Sequence, residues 1–263
     1  MEISGSTVLL TGATGGIGQA IARTLHRRGA DLIVTGRRVE RLEPLAAELG
    51  ARALAVDLAE PAEVERLARE AGKVDILVAN AALPASGTLE SFSVEQLDRA
   101  LDVNLRAPIV LAHELLPPML ERASGHLLFV SSLSAKATSP GTALYAASKF
   151  GLRGFAGSLR ADLHGSGVGV SSVLPGFIRD AGMFAEADVK LPPGVGTRTP
   201  QDVADGVVKA IAHNRGEVEI APFQLRASTI FASLAPDLAQ RVARKIGSEQ
   251  VARDIAAGQR DKR

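Results

Sequence analysis

The sequence predicts an α/β chain in which a parallel sheet is covered by helices on both faces. Short apolar runs without polar alternation recur along it, as strands buried on both faces require. Between them lie stretches whose apolar residues return every three or four positions, the spacing of a helix with one buried stripe. A glycine-rich turn directly follows the first run, where such a fold joins a strand to a helix.

In order, Val8, Leu9 and Leu10 form the first predicted strand, and Ile17, Ile21 and Leu25 the buried stripe of the first helix. Leu32, Ile33 and Val34 make the second strand, Leu42, Leu45 and Leu49 the next stripe, and residues 53–56 the third strand. Pro61 sits where a first-turn proline belongs, and Ile76, Leu77 and Val78 make the fourth strand. Residues 94–122 read mostly as one helix, with Leu97, Leu101, Leu105 and Ile109 at four-residue spacing and a bend expected at Pro108. Residues 127–130 and 168–174 are the remaining apolar runs. The helix between them carries small residues at Ala147, Gly151, Gly154, Ser158 and Ala161, which suit close helix approach within the chain or in an oligomer. Thr199 before Pro200 is an N-cap, opening a helix on Val203, Val207 and Ile211.

With 263 residues, a single domain spanning 1–263 is expected. Hydrophobic residues at 46% against 22% charged give a globular balance rather than a disordered one. The formal net charge of +1 and 3% aromatic content offer nothing for nucleic-acid binding. No apolar run approaches the roughly 20 residues that span a bilayer, and the N-terminus lacks a basic region followed by an apolar one, so a cytoplasmic protein is expected. There is no cysteine, and no two histidines stand four apart, so thiolate chemistry is excluded and no metal site is expected.

The turn Thr11-Gly12-Ala13-Thr14-Gly15-Gly16-Ile17-Gly18 spaces its glycines as G-x-x-x-G-x-G, which lets backbone approach a pyrophosphate at a helix N-terminus. After the second strand comes Thr35-Gly36-Arg37-Arg38, with two arginines where an NAD site carries an acid. A guanidinium forks onto a 2′-phosphate that a carboxylate would repel, so NADP(H) is expected over NAD(H). Asp57 and Asn80 end the third and fourth strands and point to the same crevice. Tyr145, the only tyrosine, stands four residues before Lys149, so the two share one face if the segment is helical. A cation held there would stabilise a phenolate and make the tyrosine a usable acid or base.

Taken together, T-G-A-T-G-G-I-G at 11–18, N-A-A at 80–82, Ser132, Y-A-A-S-K at 145–149 and Pro175-Gly176 resemble the short-chain dehydrogenase/reductase family over about residues 5–220. The resemblance implies a Rossmann-type, doubly wound, mainly parallel seven-stranded sheet and hydride transfer between a nicotinamide and an alcohol or carbonyl. It implies Tyr145 as acid/base, Lys149 on the nicotinamide ribose and lowering the Tyr145 pKa, and Ser132 on the substrate oxygen. Ser132 is preferred to Ser131 and Ser134 because it stands thirteen positions before Tyr145, the family's usual separation. Asn104, in Asp102-Val103-Asn104, is implied to support a water-linked proton relay. Implied cofactor contacts are Gly12, Thr14, Gly15, Gly16, Ile17, Gly18, Arg37, Arg38, Asp57, Leu58, Asn80, Ala81, Tyr145, Lys149, Pro175, Gly176 and Ile178. Two positions depart from the family's pattern: Ala82 replaces the glycine of N-A-G, and Arg179-Asp180 stand where a threonine is common.

The family's substrate lid corresponds to 181–197, where Met183, Phe184 and Leu191 suit an apolar pocket and a lipophilic ketone or secondary alcohol. Beyond Ile220 the chain continues in helical patterns (Leu225, Ile230, Phe231, Leu234, Leu238) that cover the site, mediate assembly or touch a membrane surface. Residues 241–263 hold seven basic residues against three acidic ones, read as a solvated helical tail. A homodimer or homotetramer is expected. The competing function is a non-catalytic NADP-binding regulatory or scaffold protein, which has no chemical reason to keep Asn104, Ser132, Tyr145 and Lys149 together.

Overall fold

The computed structural model describes residues 1–187, 189, 195–245 and 248–259. Its strands are β1 (Thr7–Leu10), β2 (Asp31–Gly36), β3 (Arg52–Ala55), β4 (Ile76–Ala79), β5 (Gly125–Val130), β6 (Val168–Pro175) and β7 (Glu217–Ile220). They form one sheet in the order β3-β2-β1-β4-β5-β6-β7, with all pairings parallel. Chain order reverses beside β1, so β1 and β4 are neighbours whose following loops diverge and leave a crevice at their carboxyl ends.

Alternate strand residues feed two separate cores. Val8, Leu10 and Val34 pack with Ile21 and Leu25 of α1 (Gly16–Arg27), Leu42 and Leu45 of α2 (Val39–Leu49), and Val203, Val207 and Ile211 of α7 (Pro200–Ala212). On the other face Leu9, Leu77, Leu127 and Phe129 meet Leu67 of α3 (Pro61–Ala71), Leu111 and Leu115 of α5 (Ala107–Glu121), and Leu152 of α6 (Ala143–Asp162). Every residue of β5 and β6 is buried, which is why those runs show no alternation. Strand β7, absent from the apolar runs, alternates Glu217-Val218-Glu219-Ile220 as an edge strand does. Pro61 opens α3, and Thr199 forms a reciprocal capping box with Asp202 at the start of α7.

Residues 94–121 are helical throughout, but they are not one α-helix. Between α4 (Val94–Leu101) and α5 lies a π-helical turn, Asp102–Arg106, closed by the Ala107 N–H on the Asp102 carbonyl. The departure begins six residues before Pro108, whose ring has no N–H for the Asn104 carbonyl four positions back. The small residues of α6 (Ala147, Gly151, Gly154, Ser158, Ala161) are all exposed; Gly151 also lets Leu105 of the π turn approach, since a Cβ there would lie 3.2 Å from its Cδ1, whereas Gly154 faces open space.

The C-terminal region forms α8 (Phe223–Leu234), α9 (Pro236–Lys245) and α10 (Ser248–Gly258). The solvated-tail expectation fails for α10. Ala252, Ile255 and Ala256 are half-buried and Gln259 is buried, an i, i+3, i+4, i+7 face turned to the body of the protein. Leu191, Arg260, Lys262 and Arg263 lie outside the described residues. Among the described residues no helix is long and apolar enough to cross a membrane, and no group of histidine, aspartate and glutamate could hold a metal.

At the amino end of β5, His126 is 1% exposed, with Nε2 2.8 Å from the Ser171 hydroxyl. Burial, the N-terminal ammonium and Arg160 push its pKa down from 6.5 to about 3. As pH falls below 6.5 the unfolded chain gains a proton here that the folded chain refuses until about 3. Stability is therefore lost across that window, by about 1.4 kcal/mol per pH unit from this group. Replacing His126→Gln should flatten the acid limb, shrinking the fall in Tm between pH 6.5 and 4.5 by about 5 °C or more in a chain of this size. Thermal unfolding followed by circular dichroism checks it.

Candidate active site

The turn after β1 is held shut from below. Thr11 Oγ1 accepts from the N–H groups of Asn80 and Ala81, and the Asn80 amide donates to the carbonyls of Thr11 and Gly12. Gly12 has φ +65, and a Cβ there would lie 2.7 Å from the Ala81 Cα, so a side chain is excluded twice over. A Cβ on Gly18 would strike the Gly12 carbonyl oxygen, and one on Gly16 would strike Ala181. Helix α1 begins at Gly16 with no side-chain cap and no acid in its first turn, unlike the boxed starts of α4 and α7. Its first N–H groups and dipole are thus left for an anion.

Arg37 and Arg38 follow β2 as exposed side chains, without an ion pair among the described residues. Asp57 is more occupied than its position suggested. Arg99 of α4 bonds its Oδ2 at 2.7 Å, and the Ala59 N–H bonds its Oδ1 at 3.1 Å. Burial would raise the Asp57 carboxyl, but Arg99, the Ala59 N–H and the charge of Arg37 outweigh it and hold it below the ordinary value. Leu58 is buried beside it. Arg99 belongs to this corner and was not legible, because it stands 42 residues from Asp57 on an otherwise ordinary helix face.

Tyr145 and Lys149 lie on one face of α6, with Lys149 Nζ 5.7 Å from the Tyr145 ring centroid. Ser132 ends the loop after β5, its Oγ accepting the Ser134 N–H at 3.1 Å and hydrogen-bonded to the Tyr145 side chain. Burial pushes the Tyr145 phenol up, and the Ser132 bond pulls it part of the way back. The ammonium expected to lower it is instead bonded to the Val130 carbonyl at 3.1 Å. Lys149 is 1% exposed, and burial lowers its own pKa from 10.5 to about 8. Among the described residues one of its three N–H donors has a protein partner, which leaves two for a ligand.

Asn104 does not join them. Its amide is buried, with Oδ1 accepting the Leu83 N–H at 2.7 Å and Nδ2 donating to the Leu83 carbonyl at 3.0 Å. The side chain therefore positions the loop after β4, and it is absent from the walls of the cavity that holds Ser132, Tyr145 and Lys149.

That cavity has a volume of about 430 Å³ and opens at the carboxyl ends of the strands. Ile17, Asn80, Pro175, Gly176 and Ile178 line it on the side of the glycine turn, and Phe177 and Phe184 contribute rings with centroids 4.9 Å apart. Met183 and Phe184 line it as expected. Leu225, Thr229, Ala252, Ile255 and Gln259 do so as well, and nothing in their sequence spacing ties them to Tyr145. Asp180 has φ +69 and is exposed beside Arg179, turning the chain so that Ala181 meets Gly16. Another cavity, of about 490 Å³, lies at the amino ends of the strands around Asp75, His126 and Asn214. It is larger but holds none of these groups, and ligands of open α/β sheets bind at the carboxyl ends.

The depressed Lys149 makes a stability test. In the protein without ligand, the unfolded chain holds this proton up to about pH 10.5 and the folded chain releases it near 8. Stability from this group therefore rises with pH across that interval, by at most about 1.4 kcal/mol per unit. Comparing Lys149→Met with the parent by thermal unfolding at pH 7.5 and 9.5, the parent should gain on the variant at the higher pH.

A family model described as short chain dehydrogenase matches residues 6–191. The chain is 34% identical over 225 residues to the ketoacyl reductase HetN of Nostoc sp., covering 82% of this chain and 78% of that one. It is 36% identical over 181 residues to the 3-oxoacyl-(acyl-carrier-protein) reductase FabG of Rickettsia conorii, covering 68% and 75%. A solved short chain dehydrogenase/reductase family protein superposes with a TM-score of 0.77 at 31% identity, covering 84% of this chain and 97% of that one. A short-chain dehydrogenase from Sphingobium yanoikuyae in complex with NADPH superposes with a TM-score of 0.77 at 26% identity, covering 89% and 95%. A family match over residues 6–191 and these identities exceed what a shared sheet architecture explains: the chain belongs to the short-chain dehydrogenase/reductase family of NAD(P)-dependent oxidoreductases, which act on alcohol and carbonyl groups.

Proposed function

We propose that this protein is an NADP(H)-dependent reductase of lipophilic carbonyl compounds, with 3-oxoacyl esters and thioesters as the first class to test. One observation carries the reading: Ser132, Tyr145 and Lys149 converge on a largely apolar cavity that also reaches the glycine turn. The names of the relatives HetN and FabG support the acyl class, and the NADPH complex of the Sphingobium neighbour supports the cofactor.

The residues fit a nicotinamide dinucleotide. The uncapped start of α1 and the space kept clear at Gly12 suit a pyrophosphate, and Arg37 and Arg38 offer guanidinium forks to a 2′-phosphate. Thr14, Gly15, Ile17, Asn80, Ala81, Pro175, Gly176 and Ile178 complete the cradle in this reading, and Asp57 and Leu58 border the adenosine end. When bound, the nicotinamide supplies or accepts the hydride.

The protein's own groups handle the proton and the charge. Burial keeps the Tyr145 phenol protonated at neutral pH, so it presents a proton to a carbonyl oxygen that becomes an alkoxide. Ser132 takes its loop hydrogen bond as an acceptor, and its own O–H, which meets the Tyr145 side chain, turns to stabilise that same oxygen once a substrate stands between them. Lys149, charged below about pH 8, stabilises the phenolate left after transfer. Asn104 acts as a positioning residue through Leu83, with its main-chain carbonyl as the acceptor for a water on the relay. In the oxidative direction the same groups run in reverse.

In this reading the enzyme is a single domain that works in the cytoplasm as a homodimer or homotetramer, and the outward stripe of small residues on α6 supports assembly.

Two measurements test the reading. Tyr145→Phe should lower kcat for NADPH-dependent reduction of a panel of 3-oxoacyl thioesters and bulky ketones by about 10²–10⁴-fold, with the circular dichroism spectrum unchanged. Unchanged turnover removes Tyr145 from the chemistry. Arg37→Ala should weaken NADPH about 10-fold or more while leaving NADH binding nearly as it was, since one charge-assisted bond to phosphate is worth about 1.5–3 kcal/mol. Calorimetric titration of both nucleotides reads it directly.

A further inference from the structure

Helix α10 closes the substrate cavity, and its last buried residue has a polar atom without a partner. The helix is pinned at its middle and at its C-terminal end. Ala252 packs on Gly141 of the loop before α6, where an added Cβ would lie 3.6 Å from the Ala252 Cβ. Gly258 packs on Ala187 so closely that a Cβ there would come within 2.7 Å of the Ala187 Cα. Between those contacts Ala252, Ile255 and Gln259 line the same cavity as Ser132 and Tyr145.

Gln259 is 4% exposed. Its Nε2 donates to the Met183 carbonyl at 3.1 Å, and that bond sets the orientation of the amide, because a carbonyl cannot be paired with Oε1. Oε1 is buried and has no hydrogen-bond partner among the described residues. A buried acceptor left unpaired is costly, and nearly all such atoms in folded proteins are paired. An apolar residue of similar size would fill this position without that cost, so a glutamine here acquires a purpose if the occupant of the cavity brings the missing donor.

We propose that Gln259 is a specificity-determining residue whose Oε1 accepts a hydrogen bond from an O–H or N–H on the substrate, remote from the reacting carbonyl. The site thereby selects lipophilic carbonyl compounds that carry such a donor over equally apolar ones that lack it. The inference rests on the reductase reading above and deepens it by naming what the far part of the substrate must contain.

The test uses three acetoacetyl thioesters of equal reach, made from N-acetylcysteamine (an amide N–H), 4-hydroxybutanethiol (an O–H) and pentanethiol (neither). The parent enzyme should show kcat/KM about 10-fold higher for at least one donor-bearing thioester than for the pentyl one, the yield of one hydrogen bond of about 1.4 kcal/mol. Which arm gains identifies the donor as amide or hydroxyl. Gln259→Met should erase the preference while leaving the pentyl thioester within about threefold of the parent. Calorimetric binding of the three matching 3-hydroxybutyryl thioesters should show the same ranking without turnover. A parent enzyme that reduces all three equally overturns the inference and leaves the reductase reading standing, whatever the folding of the variant. A variant whose loss falls equally on all three, or on NADPH affinity, also overturns it by assigning Gln259 to lid packing or to the cofactor. A parent that reduces none of these thioesters and none of the bulky ketones defeats the reductase reading, and the inference with it.

Discussion

Burial of the sheet on both faces is the constraint on which the rest of the molecule depends. A parallel sheet sandwiched between two helix layers has no wet face on which to build a site, so polar chemistry is confined to the ends of the strands. The seven-stranded order places β1 beside β4, where the chain departs in opposite directions and a crevice is left open. The glycine turn, Asn80, Ser132 and the segment after β6 all follow carboxyl ends of neighbouring strands. The site is thus assembled from segments more than a hundred residues apart, yet each stands within a few residues of the buried end of a strand.

The same burial tunes the titratable groups in that crevice. Lys149 and Tyr145 are both removed from water, and desolvation disfavours the charged form of each, lowering the ammonium and raising the phenol. The two shifts run in opposite directions, so the tyrosine holds its proton at neutral pH while the lysine comes close to releasing one. The Val130 carbonyl, at the end of β5, anchors the ammonium to the sheet. In this arrangement the lysine does not act on a resting tyrosinate; in the mechanism proposed above it stabilises the charge that appears after the proton has left.

A second polar assembly ties the C-terminal helices to this scaffold. Lys136, just beyond Ser132, lies 2.7 Å from Glu217 and 2.6 Å from Glu219, while Arg153 of α6 reaches Glu217 and Arg226 of α8 reaches Glu219. Burial alone would lower Lys136, but its bonds to the two carboxylates outweigh that and leave it raised. The Ser233 hydroxyl also bonds the Lys136 carbonyl. Networks of this kind hold geometry better than isolated surface pairs do. Here the network links the Ser132 loop, the edge strand and α8, whose Leu225 and Thr229 share the cavity wall with α10.

The sequence by itself determined the layered architecture, because apolar runs and helical stripes record burial at short range, in periods of two and of three to four residues. It also determined the glycine turn and the Tyr145–Lys149 face, since each is complete within one helical turn or one tight loop. Tertiary structure decided what depends on contacts between distant segments. The Leu83 bonds that occupy the Asn104 side chain, the Arg99 partner of Asp57, and the π turn ahead of Pro108 leave no periodic trace. Nor does the placement of α10 across the cavity. Its half-buried face has the same spacing as any surface helix, and only the three-dimensional path of the chain decides that Gln259 lines the same cavity as Tyr145.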